Sequence, residues 1–412
     1  MSSIASVETV AAQPQMIDMA STEPGRAAVD FDRNVICLLG LPFDQVGTDE
    51  ASHIVQQAAR TGSRLVVSTA NINFVVAARK NPAFRQSVVN SQLSLADGMP
   101  IVWISKLLGM ALPERVPGST LFERLCASHA GRPVKVYFFG APDGVAEQAS
   151  ARVNAQGGGV RCVGFNSPGY GHLDSLSSPE YIDRINEADP DFVVLSLGAE
   201  KGQAWIERNR MSLRAPVISH LGAVVNMAGG SVKRAPLSFQ RLGLEWLWRI
   251  KEEPHLWRRY ARDGAQLAKI LWSNVLPLYL DQMLPHRWFD APCEAPVARF
   301  RHSKHVDITF GAYVGGGQIP ELRAALRFAS EALCSVTVDF TQTRRIDARA
   351  LGLLLLLQGH QVQNQLPLRL VGVQSSLARQ FHCHGVDYLL TPAAPVSGPD
   401  LLARPDPAPQ EM

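Results

Sequence analysis

From Val35 onward, short apolar runs alternate with amphipathic stretches. Seven runs read as a strand followed by a turn: VICLLGLPF, RLVVSTAN, LSLADGMP, VKVYFFGAPDG, VRCVGFNSPGYG, DFVVLSLGAEKG and PVISHLGAVVN. Between them, Asp49 to Thr61, Val145 to Ala155 and Pro179 to Ala188 carry apolar residues at helical spacing. Strands alternating with helices predict a largely parallel, Rossmann-like α/β sheet, because a parallel pair needs a crossover long enough to hold a helix. A second alternation follows further on. VDITF, SVTVDF and LRLVGV read as strands, with helices over Ile319 to Leu333, Ala348 to Asn364 and Ser375 to His382. The chain of 412 residues suits two or three domains. It divides into a leader of weak periodicity (1–33), an α/β domain (34–228), a basic helical appendage with a linker (229–299), a smaller α/β domain (300–391) and a Pro- and Ala-rich tail read as disordered (392–412).

In an open parallel sheet, ligands bind outside the carboxyl ends of the strands, where helix N-termini offer free N–H groups. The candidate tips are Thr69-Ala70-Asn71, Asp97-Gly98, Gly140-Ala141, Gly198-Ala199 and Gly222-Ala223. Asp97 stands out, a carboxylate between an apolar run and the helix-compatible stretch Met99 to Leu108. It admits two readings: a cap on the helix from Met99, or a group held at the sheet edge for chemistry. No GxGxxG, GxxxxGK[ST] or GxSxG follows a strand, which argues against dinucleotide enzymes, P-loop NTPases and serine hydrolases. Asp189-Pro190-Asp191 precedes its strand and faces the opposite edge, so it reads as a turn.

Charge changes the picture only through its distribution. The net +3 does not imply a nucleic-acid partner. Yet between Lys233 and Arg262 eight basic residues face three acidic ones, interleaved with Trp246, Trp248 and Trp257. Such a segment suits anionic phosphates at a membrane surface; the plainer reading is a solvated helical face. The next stretch, KILWSNVLPLYLDQML, is apolar but broken by Pro277, and reads as an interfacial helix, a docking helix or a linker. No apolar run approaches the roughly 20 residues of a membrane span, and no secretory core segment is present. The six cysteines lack a CxxC pair and read as reduced thiols of a cytosolic protein. In His382-Cys383-His384, a spacing of two on a helix splays the imidazoles apart.

Seven ordered blocks, STAN, LADGMPIVW, PERVPGS, FFGAPDGVAE, VVLSLGAEKGQAWI, GAVVNMAGGSVKRAP and RLGLEWLWRI…EP…LWRRY, together resemble the WecG/TagA/CpsF family of bacterial glycosyltransferases, over roughly Val35 to Arg262. The resemblance implies inverting, metal-independent transfer of a hexose or N-acetylhexosamine, usually from a UDP-sugar, to a sugar on a polyprenyl-diphosphate lipid. It implies no cofactor, a place in cell-surface or exopolysaccharide assembly, and a cytoplasmic protein peripheral at the inner face of the cell membrane. Asp97 matches the family's proposed base, and Thr69 and Asn71 its strand-tip pair near the donor. Gly198, Tyr170 in SPGYG and Asn226, where the family often has aspartate, fall in the expected donor site. Arg249, Arg258 and Arg259 match the appendage arginines expected on the diphosphate, while Lys233 and Arg234 read as structural or lipid-facing. There are two departures: Gly202 stands where the family's GxPKQE has its donor-contacting glutamine, and Thr120 where an acid is common. Either Gln203 takes over the lost contact or donor binding is altered.

The stretch SVTVDFTQTRRIDARALGLLLLL is similar to the core of STAS domains, the anti-sigma-factor-antagonist fold. Ala348 and Arg349 stand in place of that family's serines, so a phosphorylation switch is not expected, and the implied use is binding a protein partner or acting as a scaffold. The rival to the enzyme is a sugar-nucleotide-binding regulator that signals through this domain. A soluble enzyme with a free sugar acceptor fits the basic, Trp-rich segment poorly.

Overall fold

The computed structural model describes residues 29–391 apart from 111, 130, 170, 223, 231–234, 237, 240–242, 253, 255–256, 284–294 and 303. Eight strands belong to the first two thirds of the chain: β1 (Val35–Leu38), β2 (Leu41–Asp44), β3 (Leu65–Ala70), β4 (Leu93–Ala96), β5 (Val134–Gly140), β6 (Val160–Asn166), β7 (Phe192–Ser196) and β8 (Val217–His220). Six of them form one sheet in the order β4-β3-β8-β7-β5-β6, and every pairing in it is parallel. Because side chains alternate across a strand, each face has its own core. Val67, Leu95, Phe138, Val194 and Val217 pack against the helices Thr48–Thr61, Gly118–Ala127, Val145–Gln156 and Val224–Gly229. Val66, Phe139, Val193, Leu195 and Ile218 pack on the other face with Trp205 and Ile206 of the Ala199–Asn209 helix. The helices Ile72–Lys80 and Pro82–Val89 join that second layer, where the sequence pattern marks none.

The first predicted strand is a correction. VICLLGLPF is not a strand of the parallel sheet; it folds back on itself as the antiparallel hairpin β1–β2. The cause is its centre: Leu39 and Gly40 both take positive φ, 55° and 91°, the two-residue turn whose twist suits a hairpin. Its two faces serve two cores. Val35 and Cys37 pack with the C-terminal domain, while Ile36 and Leu38 pack with the helices near β4. Asp44 ties the hairpin to the large sheet. Arg33 holds its carboxylate with two bonds, and Asp44 Oδ2 accepts the Ser94 N–H at 2.6 Å.

The C-terminal domain contains β9 (Val297–His302), β10 (His305–Thr309), β11 (Tyr313–Val314), β12 (Ser335–Asp339), β13 (Arg345–Ile346) and β14 (Leu368–Val371). Its main sheet runs β14-β12-β10-β9, antiparallel only at β9–β10. Helices Ile319–Glu331, Ala348–Gln363 and Ser375–His384 accompany it. β9 begins ahead of the expected start at 300, at Val297. The domain is docked tightly. A Cβ on Gly352 would stand 2.9 Å from Val35 O, and one on Gly40 would stand 2.5 Å from Gly385 O. Arg85 stacks on Tyr388 with its guanidinium 3.7 Å from the ring centre. The segment broken by Pro277 is a docking element. A π-helical turn, Leu271–Val275, leads into the helix Leu276–Met283, and Asn274 Nδ2 donates to the His382 carbonyl at 2.8 Å. His382 pairs outward with Asp387 whereas His384 is buried.

Candidate active site

At the carboxyl edge of the large sheet the chain changes direction. β3 continues into the Ile72–Lys80 helix on one layer, and β8 into the Val224–Gly229 helix on the other. Neighbouring strands with connections on opposite faces open a crevice between their tips, here between β3 and β8.

Thr69, at the tip of β3, is buried to 6 % exposure. Asn71 follows as the cap of the Ile72–Lys80 helix, its Oδ1 accepting the Phe74 N–H at 3.3 Å. The start of the Gly118–Ala127 helix fits closely over these tips, since a Cβ on Gly118 would lie 3.0 Å from Leu221 Cδ2 and 3.6 Å from Thr69 Cγ2.

Asp97 prolongs the β3–β4 ladder by one residue, its N–H donating to Ala70 O at 2.9 Å. Gly98 then takes φ 139° and ψ 134°, and the helix Met99–Leu107 begins after it. A positive φ of that kind is open to glycine and strained for other residues. The cap position therefore belongs to Gly98, and the Asp97 carboxylate is not spent on the helix. The loop after this helix returns to the same tip through Val116 N–H, which donates to Ala96 O at 2.8 Å. That return delivers Arg115, whose guanidinium forks onto Glu245 at 2.7 and 3.0 Å. Glu245 opens the helix Glu245–Glu252, which also carries Arg249. The Trp-rich segment is thus pinned against the tip of β4.

Burial lifts the Asp97 carboxyl from 3.8 to about 6; Arg115 pulls against this, Glu245 adds to it, and Arg249 pulls against it. Desolvation disfavours the charged carboxylate, and the neighbouring charges set how far. A carboxylate ionised at neutral pH, yet close enough to it to hold a proton, has the properties of a general base.

The other expected residues divide. Gly198 is extended and caps the Ala199–Asn209 helix, and a Cβ there would meet nothing within 4 Å. The first turn of that helix stands at a strand tip, where its N–H groups have no partner within the helix. Asn226, half-buried, sits on the Val224–Gly229 helix. Tyr170, Lys233 and Arg234 lie outside the described residues. Arg249 is brought to Asp97, but Arg258 and Arg259 are exposed on the helix Trp257–Ile270 and are not among the charges acting on it. Gln203 is a correction. It is fully buried, donating from Nε2 to Ser68 Oγ at 2.8 Å, so it does not reach the crevice. Successive helical residues point about 100° apart, which is why position 203 does not substitute for position 202. A surface cavity of about 480 Å³ lies between Ser119, Glu123, Cys126, Arg152 and Met227, and Asp97 does not line it.

Three residues of this edge escaped the sequence reading: Arg115, Glu245 and His220, the last residue of β8. Arg115 had a signal, its place in PERVPGS. Glu245 is visible in sequence only as one acid in a basic segment, and its pairing is a tertiary fact.

The Glycosyl transferase WecG/TagA/CpsF family matches residues 36–279. Among similar proteins, the N-acetylglucosaminyldiphosphoundecaprenol N-acetyl-beta-D-mannosaminyltransferase of Bacillus spizizenii is 30% identical over 239 residues, 57% of this chain and 91% of that protein. Enzymes of the same name from Bacillus subtilis and Staphylococcus aureus are 28% and 25% identical, covering 47% and 55% of this chain and 74% and 86% of theirs. The family match spans more than half of the chain and includes every strand of the large sheet and both charged helices at its edge, so the chain belongs to the WecG/TagA/CpsF family of glycosyltransferases.

Proposed function

We propose that the protein transfers a hexose or N-acetylhexosamine from a UDP-sugar to a sugar carried on a polyprenyl diphosphate, with inversion and without a metal. The observation that carries this reading is the partly desolvated Asp97 carboxylate at the tip of β4, ringed by Arg115, Glu245 and Arg249. The acceptor hydroxyl attacks the anomeric carbon from the face opposite the diphosphate. Its proton passes to Asp97 as the carbon–phosphate-oxygen bond breaks, and the bonding electrons leave with UDP. Arg249, and Arg115 once it lets go of Glu245, are placed to carry the charge of the leaving group, because guanidinium forks bind phosphate bidentately. Thr69, Asn71 and the first turn after Gly198 form the donor side. The relatives' names specify an N-acetylglucosamine acceptor on undecaprenyl diphosphate and an N-acetylmannosamine donor sugar, which makes these the first substrates to try.

Among the described residues no helix is long and apolar enough to cross a membrane. A membrane-surface location is supported instead by adjoining helices that expose large apolar side chains. Trp103 and Leu107 stand on the Met99–Leu107 helix, and Leu280 and Met283 on the Leu276–Met283 helix, which Gln282 ties to Leu108 O. Trp246, Trp257 and Trp272 are also exposed, with the cations Arg258 and Arg259 close in sequence. The STAS-like reading of the C-terminal domain is supported by its sheet order and by Asp347 at the head of its second helix. Its tight docking on the hairpin favours a scaffold over a freely swinging signalling module.

The test is UDP release from UDP-N-acetylhexosamines with and without a short-chain polyprenyl-diphosphate-linked N-acetylglucosamine. Release that depends on the acceptor and persists with chelator supports the transferase. Donor binding without acceptor-dependent release would turn the reading toward the regulator.

A further inference from the structure

The β8 tip holds a side chain that the mechanism above does not use. His220 lies at the crevice, 5 % exposed, with its Nε2 bonded to the Leu197 carbonyl just before Gly198. Its ring is bounded by two glycines. A Cβ on Gly202 would stand 2.4 Å from Cδ2 and 2.8 Å from Cγ, and one on Gly222 would stand 3.8 Å from Cε1. No side chain fits at position 202 while the ring is in place. Burial lowers the imidazole's pKa, so the ring is neutral at physiological pH. With the proton on Nε2 donated to the carbonyl, Nδ1 is left as an acceptor.

We propose that positions 202 and 220 share one space at the donor crevice, and that His220 fills it here, offering a fixed hydrogen-bond acceptor to an O–H or N–H of the donor's sugar. The inference rests on the donor reading of this crevice. It explains why Gly202 is not a defect: the group that meets the donor comes from the strand tip instead of the helix. Gln203 plays no part in the replacement, being bonded to Ser68 inside the fold.

The experiment uses the full chain and UDP-N-acetylmannosamine, read both by calorimetric binding and by acceptor-dependent UDP release. His220→Phe keeps the volume and removes the acceptor, whereas His220→Gln keeps an acceptor. The expected result is a donor Kd and KM raised on the order of ten-fold in His220→Phe, the loss of one hydrogen bond, with kcat little changed and His220→Gln in between. Gly202→Gln alone should lower Tm and donor affinity, and the double exchange Gly202→Gln with His220→Gly should recover both. Donor affinity unchanged in His220→Phe would make the ring packing only and overturn the proposal, as would a double exchange no better than the worse single variant. A wild type that binds donor without acceptor-dependent release would sink the transferase reading and leave the binding comparison to judge this one.

Discussion

Two aspartates in this chain end a strand and precede a helix, and the fold treats them oppositely. Asp97 and Asp347 each prolong a parallel strand pair by one N–H bond, to Ala70 O and Val314 O, both at 2.9 Å. Asp347 then caps its helix. Its Oδ1 accepts the Ala350 N–H and its Oδ2 the Gly316 N–H, each at 2.8 Å. At Asp97 a glycine with φ 139° intervenes before the helix starts. With that residue interposed the carboxylate makes no cap bond to the helix, and the charges acting on it are those of Arg115, Glu245 and Arg249. One carboxylate is consumed by structure, and the other is left for chemistry.

The largest expected effect separates the pair by substitution. Asp97→Asn should lower turnover by roughly 10²–10⁴-fold, the range of a lost general base. The same change should stabilise the protein at neutral pH. A carboxyl whose folded pKa is raised resists ionisation in the folded state. Its penalty is absent below 3.8, grows as pH rises through about 6 and is complete above; fully expressed, it is on the order of 2–3 kcal/mol. Melting curves of the variant and wild type at pH 4 and pH 8 check the sign. Asp347→Ala should do the reverse, retaining turnover and losing about 1–2 kcal/mol with its cap, as a denaturant titration would show.

A smaller effect is expected at the residue that makes the difference. Gly98→Ala meets no steric obstacle, its Cβ standing 3.7 Å from Asn71 Cβ, so its cost is backbone strain of about 1–3 kcal/mol. Relaxation of that strain should swing Asp97 toward the cap, and kcat should fall even where the protein remains folded at assay temperature.

Smaller still are the shifts produced by the neighbours. Glu245→Gln removes a charge that raises the Asp97 pKa, so the acid limb of kcat/KM should move to lower pH. Arg249→Gln removes one that lowers it, so the limb should move up. Opposite directions in pH–rate profiles are the check.

Much of this was legible in sequence. The alternation of apolar runs and amphipathic helices is local physics, and it located six parallel strands and the tips Thr69, Asn71, Asp97 and Gly198. What escaped depends on contacts distant in sequence. The fork from Arg115 to Glu245 spans 130 residues, and His220 is defined by the glycine it lies against on another element. VICLLGLPF misled because its apolar character suggests one buried strand, while Leu39-Gly40 supplies a turn and the C-terminal domain supplies the second core that buries its other face. Gln203 misled because a one-residue step in sequence is small, and on a helix it is a change of face.

The most direct test of the central claim is the titration of the Asp97 carboxyl carbon by NMR in the full chain, beside the pH profile of acceptor-dependent UDP release. The account predicts that the carboxyl titrates at about 6, that the acid limb of kcat/KM coincides with it, and that both move down together in Glu245→Gln. A carboxyl that titrates in the ordinary aspartate range, or a rate profile that ignores its titration, would contradict the assignment of Asp97 as the base.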